Sequence, residues 1–115
     1  MDNETIPLDS SSNSAEEPLY ILSLLNNELM SFSWKLINKD YYIGRSSENN
    51  IILDDITVSR KHALLSVSNE NIKIQDNTST NGIYVNNEIK NDYILKSGDK
   101  IQIGKYLLLL TEVVK

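Results

Sequence analysis

From Leu19 onward no apolar run is longer than the five residues Tyr106 to Leu110, and each run is broken by Asn, Asp, Gly or Ser. Runs this short leave room for strands but not for core helices, and no window sustains a helical period with caps. Leu65/Val67, Ile72/Ile74, Ile83/Val85 and Ile101/Ile103 are each spaced by two, so each pair shares one face of an extended chain. The pattern predicts strands at Leu19–Leu25, Met30–Ile37, Tyr41–Ile43, Asn50–Leu53, Ala63–Val67 and Ile72–Gln75. It continues with Ile83–Val85, Glu88-Ile89, Tyr93–Leu95, Ile101–Ile103 and Tyr106–Val114. Asn69-Glu70-Asn71, Asn81-Gly82, Asn86-Asn87 and Ser97-Gly98-Asp99 supply turns between them. Ten or eleven short strands in a chain of 115 residues predict an all-β sandwich, and no internal repeat is visible.

That length suits one hydrophobic core. The absence of cysteine removes disulfides, thiolate metal sites and cysteine nucleophiles, and a single histidine, His62, removes a histidine-built metal cluster. A membrane helix needs about 20 apolar residues, which this chain lacks. Residues 1–18 carry neither the basic residue nor the apolar stretch of a signal peptide, so a soluble cytoplasmic protein is expected. Five of the 16 acidic residues (Asp2, Glu4, Asp9, Glu16, Glu17) precede residue 19, where there is no Lys or Arg. The rest of the chain has 11 acids against 11 bases, and without a basic tract nucleic acid is not an expected partner. Residues 1–17 read as a disordered acidic tail, polar and of low complexity through Asp9-Ser10-Ser11-Ser12-Asn13-Ser14, and residues 18–115 as the folded domain.

Three loop clusters carry the polar chemistry. They are Gly44-Arg45-Ser46-Ser47, then Thr57-Val58-Ser59-Arg60-Lys61-His62, then Thr78-Ser79-Thr80-Asn81-Gly82. Together they offer guanidiniums, hydroxyls and an amide without a matching set of carboxylates, which suits an oxyanion such as phosphate. Singly, each has a plain structural explanation. Gly44 can serve a turn, Ser59 a local cap, His62 a hydrogen-bonded structural role, and Asn81-Gly82 a type I′ hairpin. Ser59, His62 and Asp76 can be drawn as a catalytic triad, but no nucleophile elbow surrounds Ser59 and no enzyme is expected. Asp76 to Gly82 echoes a calcium loop, yet its Gly falls at the wrong position and its flanks read as strands, so no metal or other cofactor is expected.

Taken in order, Ile43-Gly44-Arg45-Ser46, Asn50-Ile51-Ile52-Leu53, Val58-Ser59-Arg60-Lys61-His62-Ala63 and Ser79-Thr80-Asn81-Gly82-Ile83-Tyr84-Val85-Asn86 carry a strong likeness. They resemble the forkhead-associated (FHA) domain, and Leu95 to Gly104 is similar to its penultimate hairpin. The resemblance implies an eleven-stranded β-sandwich whose end loops bind phosphothreonine peptides prepared by an upstream Ser/Thr kinase. It implies that Arg45 and Ser59 hold the phosphate, Arg60 adds a second guanidinium, Thr80 donates its hydroxyl and Asn81 bonds the peptide backbone. Gly44, His62 and Gly82 would support the loops. Asn86-Asn87 stands where relatives often have a second Asn-Gly, and still tolerates a left-handed turn. The alternative within the same fold is a scaffold that works without phosphate. The layout also resembles small bacterial single-FHA proteins regulated by tail phosphorylation, which makes Thr5 a candidate phosphosite and tail-mediated self-association a candidate consequence.

Overall fold

The computed structural model describes residues 17–25 and 32–114. Thr5, and the expected tail except for Glu17, lie outside the described residues. The described residues form eleven strands and no helix. They are β1 (Tyr20–Leu24), β2 (Ser33–Leu36), β3 (Asp40–Gly44), β4 (Ile51–Ile52), β5 (Ala63–Val67) and β6 (Ile72–Asp76). The remaining strands are β7 (Ile83–Val85), β8 (Glu88–Lys90), β9 (Asp92–Leu95), β10 (Lys100–Ile103) and β11 (Tyr106–Glu112). One sheet has the order β2-β1-β11-β10-β7-β8 and the other β4-β3-β5-β6-β9. Each expected strand from Leu19 on has its counterpart, and the sandwich is the architecture found.

The period-two pairs face inward. Leu65, Val67, Ile72, Ile74, Ile83, Val85, Ile101 and Ile103 are all buried, in one cluster with Leu22, Leu36, Ile43, Leu108 and Leu110. Residues from both sheets share this cluster, so each sheet covers the apolar face of the other. Three polar side chains are buried with them: Asn49, His62 and Asp99. Asp99 accepts from Lys96 N at 2.7 Å and from Asn86 Nδ2 at 3.0 Å, and so joins the β9–β10 turn to the β7–β8 hairpin. Asn49 and His62 tie loops at the other end of the molecule.

One turn differs from expectation. Asn81-Gly82 is not a hairpin turn, because it precedes β7 in a connection that leaves β6 in the other sheet. The type I′ geometry lies instead at Asn86-Asn87, with φ of 51° and 71°, where Val85 pairs with Glu88 across a two-residue loop. Both positive φ values fall on asparagine, which tolerates them better than other side chains do.

The ends of the sandwich are set by β11. Just before it, Lys105 N donates to Thr57 Oγ1 at 2.9 Å, in the β4–β5 connection. The strand then runs seven residues, about 24 Å at ~3.4 Å each, to Glu112, which pairs with Tyr20. The chain therefore enters β1 at the end remote from the β4–β5 loop. Leu108→Ala, which empties a fully buried position, is expected to lose about 2–5 kcal/mol in urea unfolding. Ile94→Ala on β9, where the side chain is 56% exposed, should change stability by less than about 0.5 kcal/mol.

Candidate functional site

At the end of the sandwich remote from Tyr20 lie the β3–β4, β4–β5 and β6–β7 connections, which contain all three polar clusters of the sequence. Backbone bonds align the first two: Arg45 N donates to Ser59 O at 3.0 Å, Ser46 N to Arg60 O at 3.2 Å and His62 N to Ile43 O at 2.9 Å. Gly44 makes this approach possible. A Cβ there would overlap the Arg60 carbonyl oxygen and lie 2.8 Å from Asn49 Nδ2. The buried Asn49 amide completes the junction by donating to Ser46 O at 2.8 Å and Arg60 O at 2.7 Å.

His62 joins the second loop to the third. Its Nδ1 accepts the Ser59 backbone N–H at 3.0 Å, and its Nε2 lies 2.7 Å from Gly82 O. A backbone N–H can only donate and a carbonyl can only accept, so the ring is the neutral tautomer with its hydrogen on Nε2. Both ring nitrogens are thereby occupied at full burial. The triad drawn from Ser59, His62 and Asp76 fails on this geometry, because no ring nitrogen is left for the Ser59 hydroxyl. Asp76 is also committed: it accepts the Ser79 hydroxyl at Oδ1 and the Ser79 N–H, at 3.3 Å, at Oδ2. Ser79 Oγ in turn accepts Gly82 N at 2.9 Å, which closes the β6–β7 loop on itself.

Within this frame the donors are held in defined states. Arg45 is half-buried and donates its Nε to Val58 O at 3.0 Å, which fixes the guanidinium and leaves its two terminal NH2 groups for a ligand. Ser59 Oγ accepts Thr80 N at 2.9 Å, so its own hydrogen is left to donate. Arg60 contributes its carbonyl to the loop junction and its exposed side chain to solvent. Thr80 is exposed, with its backbone N–H spent on Ser59. Asn81 donates one amide hydrogen to Thr57 O at 2.9 Å and keeps the other, together with Oδ1. The five residues expected to bind a ligand thus lie on loops stitched together by these bonds, and Gly44, His62 and Gly82 supply the stitching.

Sequence reading missed a further tie. Asp55 Oδ2 accepts Thr57 N at 2.9 Å and Thr57 Oγ1 at 2.6 Å, and Asp55 Oδ1 pairs with Lys105 Nζ at 3.2 Å. The two Thr57 bonds, with a smaller contribution from Lys105, hold the Asp55 carboxyl down at about 2. Lys105 is raised in response. The β10–β11 turn is thereby fastened to the loop that carries Ser59, over a separation in sequence that no local pattern reveals.

The profile of the FHA domain family matches residues 41–104, more than half of the chain. The chain belongs to the FHA family. It is 47% identical over 66 residues to an oxoglutarate dehydrogenase inhibitor of Corynebacterium efficiens, a match that covers 57% of this chain and 46% of that relative. It is 44% identical over 66 residues to the glycogen accumulation regulator GarA of Mycobacterium tuberculosis, covering 57% of this chain and 41% of GarA. The matched stretch therefore spans less than half the length of either relative. A solved structure from work on phosphothreonine-dependent FHA domain interactions superimposes with a TM-score of 0.78 at 26% identity, covering 84% of this chain and 99% of that one. The FHA match takes in the first two loop clusters and the third, from Gly44 through Gly82, and continues to the turn at Gly104.

His62→Ala strips partners from the Ser59 N–H and the Gly82 carbonyl at a buried position. It is expected to cost roughly 1–3 kcal/mol in thermal or urea unfolding, whereas Arg45→Ala, which gives up a half-buried loop charge and its one bond to Val58 O, should keep the fold and cost less, about 0.5–1.5 kcal/mol.

Proposed function

We propose that this FHA domain, residues 18–115 behind an acidic tail of residues 1–17, is a phosphothreonine-peptide-binding module. The observation that carries the reading is the pairing of Arg45, its Nε fixed by Val58 O and its NH2 groups left over, with Ser59, its oxygen occupied by Thr80 N and its hydrogen left to donate. A phosphothreonine brings roughly −1.5 to −2 charges at pH 7 and acceptor oxygens that match these donors. Arg60 and the Thr80 hydroxyl add to the phosphate contacts, and Asn81 bonds the peptide backbone. Such ligands are made by Ser/Thr kinases where ATP is present, which fits a cytoplasmic role. The relatives named as an inhibitor and a regulator favour a binding partner in signalling over a catalyst.

Calorimetry with a phosphothreonine peptide and its dephosphorylated twin tests this. Binding should require the phosphate and be weaker with phosphoserine. Arg45→Ala should lose roughly tenfold to hundredfold in affinity, from a charge-assisted bond worth about 1.5–3 kcal/mol. Equal affinity for the dephosphorylated peptide would instead favour a phosphate-independent scaffold.

The placement of β1 bears on the tail. With the chain entering remote from the loops, the 14 residue steps from Thr5 to Leu19 reach about 46 Å only when fully stretched. They average about 20 Å as a flexible chain, less than the ~24 Å length of β11, so docking into a neighbouring molecule is the easier route for a phosphorylated Thr5. Phosphorylating Thr5 is therefore expected to raise the mass seen by light scattering and to weaken binding of added phosphopeptide. A monomer with unaltered affinity would contradict the role of Thr5.

A further inference from the structure

Asn81-Gly82 is the one Asn-Gly pair in the chain. An asparagine followed by glycine is chemically fragile, because glycine has no side chain to hinder attack by its own backbone nitrogen on the preceding carboxamide. Here both reacting groups are held. The would-be nucleophile, Gly82 N, donates its hydrogen to Ser79 Oγ at 2.9 Å. That oxygen has its direction fixed, since the Ser79 hydrogen goes to Asp76 Oδ1. The carboxamide is held at a separate point, with Asn81 Nδ2 donating to Thr57 O at 2.9 Å. Asn81 itself is exposed, so water reaches it once these bonds open.

We propose that Asn81 is a latent deamidation site, kept intact by the Ser79 hydroxyl and the Thr57 carbonyl, whose conversion shuts off the phosphate site. The chemistry needs only water. Gly82 N gives up its proton and attacks Asn81 Cγ; the Cγ–Nδ2 bond breaks, ammonia leaves, and a five-membered succinimide remains. Water then opens the ring at either carbonyl to give aspartate or isoaspartate, so that overall one amide and one water become a carboxylate and an ammonium ion.

Either product damages the site through groups already described. A carboxylate at 81 has no hydrogen to give Thr57 O and faces that carbonyl with like polarity. It also sets a negative charge next to the loops that are to hold a dianionic phosphate. Isoaspartate goes further, because the extra backbone carbon displaces Gly82, whose carbonyl accepts from His62 Nε2. The loss of ligand affinity rests on the phosphothreonine reading; the protection of Asn81 does not.

The test incubates the full chain at mildly alkaline pH and follows Asn81 by peptide mapping and by enzymatic methylation of isoaspartate. A synthetic peptide covering residues 76–86 is run alongside. The folded wild type is expected to convert at least tenfold more slowly than the peptide. Ser79→Ala, checked for folding by its thermal melt, should convert at close to the peptide rate, and Ser79→Thr, which keeps the hydroxyl, should restore protection. Asn81→Asp should bind a phosphothreonine peptide at least tenfold more weakly than fresh wild type. Conversion of the folded wild type at the peptide rate, or a folded Ser79→Ala as stable to deamidation as the wild type, overturns the proposal. If Ser79→Ala does not fold, the comparison of wild type with peptide decides alone. Failure of fresh wild type to bind any phosphothreonine peptide overturns the proposed function and leaves the peptide mapping and isoaspartate methylation to judge the protection of Asn81.

Discussion

The arrangement of the three loops depends on one buried imidazole. His62 accepts the Ser59 N–H with one ring nitrogen and donates to Gly82 O with the other. Two loops that belong to different strand pairs are therefore set by a rigid ring at a fixed tautomer rather than by mutual contact of mobile side chains. Buried polar groups are tolerated only when satisfied, and here that requirement becomes a positioning device. If the ring is lost, Ser59 and Thr80 no longer have a reason to share a hydrogen bond. The Asn49 amide does the same work between the first and second loops, with Gly44 leaving it the room.

Preorganisation would let so few charges serve the proposed phosphate site. Arg45 spends its Nε on Val58 O and Ser59 spends its acceptor on Thr80 N, so the groups left over are donors and already oriented. A ligand then meets side chains whose entropy was lost on folding rather than on binding. Two carboxylates at this end of the sandwich are taken up by their own partners: Asp76 holds Ser79, and Asp55 holds Thr57 and Lys105.

The strands were legible because burial writes a period of two into the sequence, as Leu65/Val67 and Ile101/Ile103 show. The clusters containing Arg45, Ser59 and Asn81 were legible because the order and spacing of FHA motifs is specific. Sheet membership was not, and so Asn81-Gly82 reads as a hairpin turn although the chain crosses between sheets there. Asn49 and Asp99 gave no signal, since a polar residue in a polar loop looks the same whether buried or exposed. The tie from Asp55 and Thr57 to Lys105 joins residues about 50 apart in sequence, and only the closed sandwich brings them together.

The central claim is that a ligand phosphate meets a prebuilt set of donors at one end of the sandwich. Amide and guanidinium NMR spectra recorded during titration with a phosphothreonine peptide test it most directly. The account predicts shifts concentrated in Gly44–Ser47, Thr57–His62 and Ser79–Gly82, with new slowly exchanging Arg45 side-chain signals and unchanged strand resonances. Shifts centred on the outer faces of the sheets, with the Arg45 and Ser59 signals unmoved, would contradict it.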